Sequence, residues 1–265
     1  MNIIVLIKQV PETSNVKMDP ETGTMIREGL DTIINPLDLY AIEAAIRLKE
    51  QHGGKVTALS MGPPAAMKAL REAMAMGCDD AALVSDRKFG GADTWATSYT
   101  LSQAIKEMGD FDLILAGERA TDGDTGQVGP GVGAWMNLPV VSYVAHIKEV
   151  TKDSITCERL MEEGYQVVKV PFPAVITTVK EIAEPRLPTL RGNKRARQTE
   201  IPVYSTENMT LDVGSLGLKG SPTKVVKIET PKVMRSGTLV RANSEEALEA
   251  AVDQLVEWLK ERELV

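Results

Sequence analysis

The residues best suited to chemistry lie in a glycine-rich stretch, Gly117 to Gly133, which follows the short apolar run 111–116. Glycine allows the backbone to adopt positive φ angles and to approach a ligand closely. Successive backbone N–H groups in such a loop form a concave anion site, and a helix N-terminus that follows strengthens it. The stretch is therefore predicted to hold a phosphate group.

Three other interpretations of this stretch compete with phosphate binding. A calcium loop that begins at Asp122 needs Gly at its sixth position and Glu at its twelfth, where this chain has Gln127 and Gly133. The glycines from 129 to 133 lack the G-x-G-x-x-G spacing of a dinucleotide site and do not follow the first strand. A surface loop without a ligand fits the composition as well as a phosphate site does.

Composition excludes several classes of protein. The 265 residues are 43% hydrophobic and 25% charged, which suits one large or two small globular domains. A net charge of −7 argues against a nucleic-acid binder, and no apolar run or signal peptide predicts a membrane or secreted protein. Cys78 and Cys157 lack metal or redox spacing. We therefore predict a cytoplasmic protein without a metal site.

Strands and helices alternate over the first 145 residues. Asn35 is expected to cap a helix that has Pro36 at its first position, and further helices are predicted after Pro64 and from Asp93 to Met108. This alternation predicts an α/β fold with a doubly wound, mostly parallel sheet and helices on both faces. Buried strands are predicted at 2–7, 55–60, 81–84, 111–116 and 140–144.

The predicted topology brings distant residues together. Ligands of such sheets bind beyond the carboxyl ends of the strands, where the strand order reverses. If the reversal lies between the first and fourth strands, Lys8 faces the Gly117 stretch across one crevice. Asn35 and Met61, at the ends of neighbouring elements, then line the same crevice. This convergence favours a nucleotide over an empty loop.

The pattern changes after residue 145. Residues 148–170 alternate between apolar and polar, which predicts an antiparallel addition, and 174–179 is one more buried strand. Residues 184–200 are predicted to be extended. Residues 201–242 show little periodicity, and such a long irregular arm wraps either a partner subunit or its own domain.

The chain ends in a predicted amphipathic helix. Asn243 is expected to cap it, with Glu246 as the capping-box partner. Leu248, Leu255 and Trp258 belong to its apolar stripe.

Six separated stretches carry a resemblance when they are considered together. They are Ile7–Pro11, Asn35–Asp38, Met61–Pro64, Gly117–Gly129, Pro171–Thr177 and Glu184–Leu190. Their order and spacing resemble the small (β) subunit of electron-transfer flavoproteins along nearly the whole chain. In that family the β subunit pairs with a larger α subunit that carries FAD, and it binds an adenine nucleotide in its own crevice.

The resemblance implies which residues form the nucleotide pocket. Backbone N–H groups from Gly123 to Gly126 and the Thr125 hydroxyl would meet the phosphates, while Asp122 and Asp124 would brace the loop or meet a ribose. The full set is Leu6, Lys8, Asn35, Pro36, Leu37, Asp38, Met61, Gly117, Asp122, Gly123, Asp124, Thr125, Gly126, Gln127 and Val128.

Three stretches, Asn35–Tyr40, Phe89–Thr94 and Asp122–Thr125, resemble the bifurcating branch of the family. The nucleotide there is a second FAD, which takes electrons from NADH. One electron goes to ferredoxin or flavodoxin, and the other goes through the α-subunit FAD to a flavin-containing dehydrogenase of the acyl-CoA or hydroxy-acid type. Glu118 departs from the basic or polar residue expected after Gly117.

Two alternatives remain. In the non-bifurcating branch the β subunit holds a structural AMP, and the protein accepts electrons from dehydrogenases. A stand-alone nucleotide sensor would share the sheet and have no redox role. An enzyme that acts alone is the least supported interpretation, because the chain shows no nucleophile–base arrangement.

The basic segment 185–197 contains five cationic residues and no acid. It matches the family's recognition loop, where a leucine inserts into a pocket of the dehydrogenase. The resemblance makes Leu190 the docking residue, with Arg191, Lys194 and Arg195 as a basic rim; a solvated charge run is the alternative. We predict a nucleotide-binding domain over 1–200, which includes a recognition loop at 184–200, and an arm over 201–265 that contacts the α subunit.

Overall fold

A computed structural model describes residues 1–12, 31–226 and 239–265. The chain divides into two compact units, residues 1–226 and 227–265. Within the described residues, no helix combines the length and the apolar character needed to cross a lipid bilayer.

The first unit is built on a nine-stranded sheet and a separate two-stranded ribbon. The ribbon pairs two short antiparallel strands that follow β1 in the chain. In chain order the strands are β1 (Asn2–Leu6), β2 (Gln9–Pro11), β3 (Thr32–Ile34), β4 (Lys55–Met61), β5 (Asp80–Val84), β6 (Leu113–Gly117), β7 (Val140–Val150), β8 (Ser154–Met161), β9 (Gly164–Pro171), β10 (Ala174–Thr178) and β11 (Val203–Tyr204).

The strand order confirms the predicted topology. Across the large sheet the order is β11-β5-β4-β1-β6-β10-β7-β8-β9. All neighbours from β11 to β7 are parallel, while β8 and β9 form the predicted antiparallel addition. The chain moves outward from β1 to β4 and β5 and then returns to place β6 on the other side of β1. The strand order therefore reverses between the first and fourth parallel strands.

Helices cover both faces of the sheet, as predicted. Alternate β1 residues point to opposite faces, so that Ile3 and Val5 pack on one side while Ile4 and Leu6 pack on the other. The helices are α1 (Pro36–His52), α2 (Met67–Met76), α3 (Thr94–Met108), α4 (Val128–Met136), α5 (Leu190–Gln198) and α6 (Gly217–Gly220). Helices α1 and α2 pack on the Ile3 side, and α3 and α4 pack on the Ile4 side.

Two predicted irregular stretches contain helix. The glycine-rich stretch ends at residue 127, because α4 begins at Val128. A β-carbon at Gly129 or Gly133 would overlap the side chain of Thr177 or Val140, so these glycines allow α4 to pack closely on the sheet. Residues 190–198, predicted to be extended, form α5, whose first free N–H groups are capped by Thr189.

Residues 201–226 belong to the first unit, beyond the domain boundary predicted at residue 200. Strand β11 pairs with β5 at the sheet edge. The Tyr99 hydroxyl accepts a hydrogen bond from the Asp212 N–H at 2.8 Å, and the Ser221 hydroxyl accepts one from the Asp93 N–H at 2.8 Å. This part of the predicted arm therefore covers its own domain.

The second unit contains one helix, α7 (Glu245–Lys260), within its described residues 239–265. Its N-cap is Ser244, which accepts a hydrogen bond from the Ala247 N–H at 3.2 Å. The predicted cap at Asn243 was therefore wrong by one residue. Leu248, Leu255 and Trp258 of the predicted stripe are exposed.

Candidate functional site

The floor of the site lies where β1 and β6 end side by side, with Leu6 paired to Ala116. Gly117 follows and touches the first turn of α1. A β-carbon on Gly117 would overlap the Asp38 carboxylate and would lie 2.9 Å from the Leu37 carbonyl oxygen. Only glycine allows the three elements to meet this closely.

Asp38 joins these elements through its buried carboxyl group. Oδ2 accepts a hydrogen bond from the Lys8 N–H at 2.7 Å, and the carboxylate packs against Gly117. Burial raises the pKa of Asp38 to about 7, although the hydrogen bonds from Asn35, Lys8 and Gly117 oppose the shift. The carboxyl group is thus part of the floor and holds both strand ends.

Asn35 precedes α1, as predicted, but its side chain does not cap the helix. Its Nδ2 donates to the Arg119 carbonyl at 2.9 Å, and its Oδ1 accepts from the Thr121 N–H at 3.1 Å. Asn35 is fully buried. It therefore fixes the start of the crevice loop, residues 117–128, against the end of β1.

The backbone N–H groups of the crevice loop fall into two sets. The N–H groups of Gly123 and Asp124 donate to the Ala120 carbonyl at 3.3 and 2.8 Å and close a turn. The sequence analysis assigned these two N–H groups to a phosphate, whereas the structure engages them within the loop. Asp124 and Gly126 have φ angles of 55° and 64°.

The N–H groups of Thr125, Gly126 and Gln127 have no acceptor among the residues that the structure describes. Helix α4 begins directly after them, and its N-terminus carries partial positive charge. Three successive donors before a helix N-terminus fit a phosphate or pyrophosphate group.

Both aspartates of the loop are paired with cations. Asp122 accepts from Lys8 Nζ at 2.7 Å, and Asp124 lies 3.2 Å from Arg119 Nε. These contacts are those expected of residues that brace the loop, one of the two predicted roles. Because Asp122 offsets the charge of Lys8, the attraction for an anion comes mainly from the backbone.

Two residues beside the loop were not predicted. Thr94, the first residue of α3, donates its hydroxyl to Gln127 Oε1 at 2.7 Å. Tyr143 has a φ angle of 61°, and its hydroxyl lies near Gly126, 3.7 Å from where a β-carbon would be. The Asp93 cap after β5 could have indicated Thr94, whereas nothing local indicates Tyr143.

The other predicted pocket residues differ in how deeply they are buried. Leu6 is buried in the core beneath the crevice, and Met61 is half-buried at the end of β4. Pro36 is exposed at the first position of α1. Gly123 is exposed, and a β-carbon there would meet nothing within 4 Å.

The docking segment, residues 184–199, lies apart from the crevice. Leu190 is 91% exposed at the start of α5, and Arg191 and Lys194 are exposed as well. Arg195, predicted to belong to the same basic rim, instead donates to the carbonyl groups of Met74 and Cys78.

Comparisons with known proteins show the family to which the chain belongs. A family model described as the electron transfer flavoprotein domain matches residues 22–208. The chain is 46% identical to the electron transfer flavoprotein subunit beta of Thermoanaerobacterium thermosaccharolyticum, across 96% of this chain and 98% of that protein. It is 47% identical to the subunit beta of Megasphaera elsdenii, with both chains fully covered. It is 44% identical, again with full coverage, to the CarD subunit of the caffeyl-CoA reductase–Etf complex of Acetobacterium woodii.

Proposed function

Because the chain belongs to the electron transfer flavoprotein family, as a β subunit, we propose that it pairs with an α subunit and binds FAD in its crevice. The observation that carries the proposal is the run of N–H groups from Thr125 to Gln127 before α4. These groups and the Thr125 hydroxyl would hold the phosphates, with Lys8 beside them. The exposed stripe of α7 would contact the α subunit.

The bound flavin would supply the redox chemistry: it would take electrons from NADH and pass one to ferredoxin or flavodoxin and one, through the α-subunit FAD, to a flavin dehydrogenase. The relative from Acetobacterium woodii is named as part of a caffeyl-CoA reductase complex, which supports an acyl-CoA-type dehydrogenase as the partner. Leu190 would dock on that dehydrogenase. The buried thiols of Cys78 and Cys157 suit the cytoplasmic setting that we propose.

The nucleotide content of the purified heterodimer tests this function. Acid extraction followed by chromatography should release two FAD per heterodimer. One FAD with one AMP would place the protein in the non-bifurcating branch, and no flavin would support the nucleotide sensor. NADH should reduce ferredoxin only when the dehydrogenase and its acceptor substrate are present. Ferredoxin reduction without them would contradict bifurcation.

A further inference from the structure

The docking segment contains a short exposed tip, residues 187–190. Leu187 is 83% exposed and Leu190 is 91% exposed, while Arg186 before them and Arg195 after them form hydrogen bonds to the domain. We infer that Arg186 and Arg195 are positioning residues, which hold this tip in one preformed geometry for its partner. The inference rests on the proposed docking of Leu190 on a dehydrogenase.

Arg186 forms the first anchor, on helix α1. Its Nε and its backbone N–H both donate to Glu43 Oε2, at 2.8 and 3.2 Å. Its Nη1 and Nη2 donate to the two carboxylate oxygens of Glu50 at 2.6 and 2.9 Å. Burial raises the pKa of Glu43, but hydrogen bonds from Arg186 and Arg47 bring that pKa below its usual range. A buried carboxylate of this kind holds the guanidinium in a fixed orientation.

The second anchor joins the ends of α2 and α5. The last carbonyl groups of a helix have no partner within the helix. Arg195 of α5 donates to the Met74 and Cys78 carbonyls at the end of α2, at 2.9 and 2.5 Å. Arg71 of α2 donates in return to the Ala196 carbonyl near the end of α5. Each helix therefore supplies the arginine that caps the other.

The backbone between the two anchors is fixed as well. The Thr189 N–H donates to the Ala75 carbonyl at 3.2 Å, and the Thr189 hydroxyl caps α5 by accepting from the Gly192 N–H at 2.9 Å. A β-carbon on Gly192 would overlap the Ala75 carbonyl, so α5 lies directly on the end of α2. The leucine side chains of the tip remain in solvent. Such ordering before binding reduces the entropy lost on association.

The cations of the docking segment have different roles. All four cations of α5 are exposed, but Arg195 donates to two carbonyl groups and lies 3.9 Å from Asp79 Oδ1, whereas Arg191, Lys194 and Arg197 have no such contacts within the described residues. Within the described residues, no carboxylate forms an ion pair with these three. Exposed cations act on the encounter rate in a salt-dependent manner. A positioning residue acts at every ionic strength.

Hydrogen–deuterium exchange on the complete heterodimer tests the anchors without any partner. Arg186→Gln and Arg195→Gln should each speed amide exchange over residues 187–193 by about tenfold, because the anchored backbone opens more often. Arg197→Gln, an exposed arginine in the same segment, is the matched control and should change nothing there. Unchanged exchange in both anchor variants would overturn the inference.

A second experiment uses a purified acyl-CoA dehydrogenase as the probe. Arg195→Gln should raise the KM for the dehydrogenase about fivefold at low and at high salt, with kcat unchanged, which corresponds to about 1 kcal/mol. Arg191→Gln should raise the KM at low salt only. If the Arg195→Gln effect also disappeared at high salt, Arg195 would be an ordinary steering charge. A normal KM for Leu190→Ala would reject the docking function, and the exchange result would still decide on the anchors.

Discussion

The crevice loop and the docking segment are both irregular pieces of chain held at the ends of regular elements, and they are held by opposite chemistry. In the crevice loop, side chains such as Asn35 bind part of the backbone and leave three N–H groups available. In the docking segment, Arg195 binds backbone carbonyls and Arg186 binds two carboxylates, which leaves two leucines available. The first region is organised to receive an anion, and the second to present an apolar group.

The largest expected effect is at the closest approach in the crevice floor. Gly117→Ala should lower the free energy of unfolding by about 3 kcal/mol or more, because the new methyl group would overlap the Asp38 carboxylate. Gly123→Ala, in open space, is the matched control and should change it by less than about 0.5 kcal/mol. Denaturant unfolding of both variants measures the difference. Equal stabilities would show that the floor does not depend on this contact.

The pH dependence of stability examines the same floor. Because the pKa of Asp38 is raised to about 7, the folded protein keeps a proton that the unfolded chain loses near pH 4. Its contribution to stability is therefore complete below about pH 4 and declines as the pH rises to about 7, by at most about 1.4 kcal/mol per pH unit.

Unfolding of wild type and Asp38→Asn between pH 5 and 8 should show a stability difference that shrinks with rising pH. Asp110→Asn, at an exposed site, serves as the control. A difference that stays constant over this range would contradict the shift.

The docking segment should respond to a change that leaves the crevice intact. Leu190→Ala should raise the KM for an acyl-CoA dehydrogenase by about 30-fold, since an exposed apolar anchor contributes about 2 kcal/mol when a partner buries it. Flavin content should not change. Loss of flavin in this variant would mean that the two regions are not separate.

The smallest expected effect distinguishes Gly126 from Gly123, two glycines to which the sequence analysis assigns the same role. Gly126→Val should weaken nucleotide binding about tenfold, because a β-branched residue at a φ of 64° costs about 1–2 kcal/mol. Gly123→Val should keep the nucleotide, since its β-carbon would meet nothing. Extraction of bound nucleotide from both variants measures the contrast. Equal retention would show that the loop conformation at Gly126 is not needed.

The sequence predicts the sheet, the position of the switch point and the residues that converge there. Apolar runs mark the buried strands, and short parallel strands must bring their carboxyl ends to one edge. Lys8 and Gly117 meet for this reason, whereas Asn35 follows β3 of the antiparallel ribbon and reaches the same place because β3 pairs with β2. The prediction needs no knowledge of any side-chain contact.

Contacts between distant residues lie beyond such patterns. Helix α5 buries only Ala196, so it has no apolar periodicity, and its capping depends on Arg71, far earlier in the chain. The Asn35 side chain binds Arg119, 84 positions away, instead of its own helix. Tyr143 reaches the crevice only because β7 joins the sheet beside β10.

Helix α2 begins after the carboxyl end of β4 and ends before the amino end of β5. The leucine tip, bound to the last turn of α2, therefore lies at the edge of the sheet opposite the crevice, about 17 Å away along a strand of five residues. A partner docked on the tip and a nucleotide in the crevice, as proposed above, would therefore not compete for space. Helix α1 touches both places, with Asp38 in the crevice floor and Glu50 on Arg186. The same helix therefore supplies residues to the crevice floor and to the Arg186 anchor.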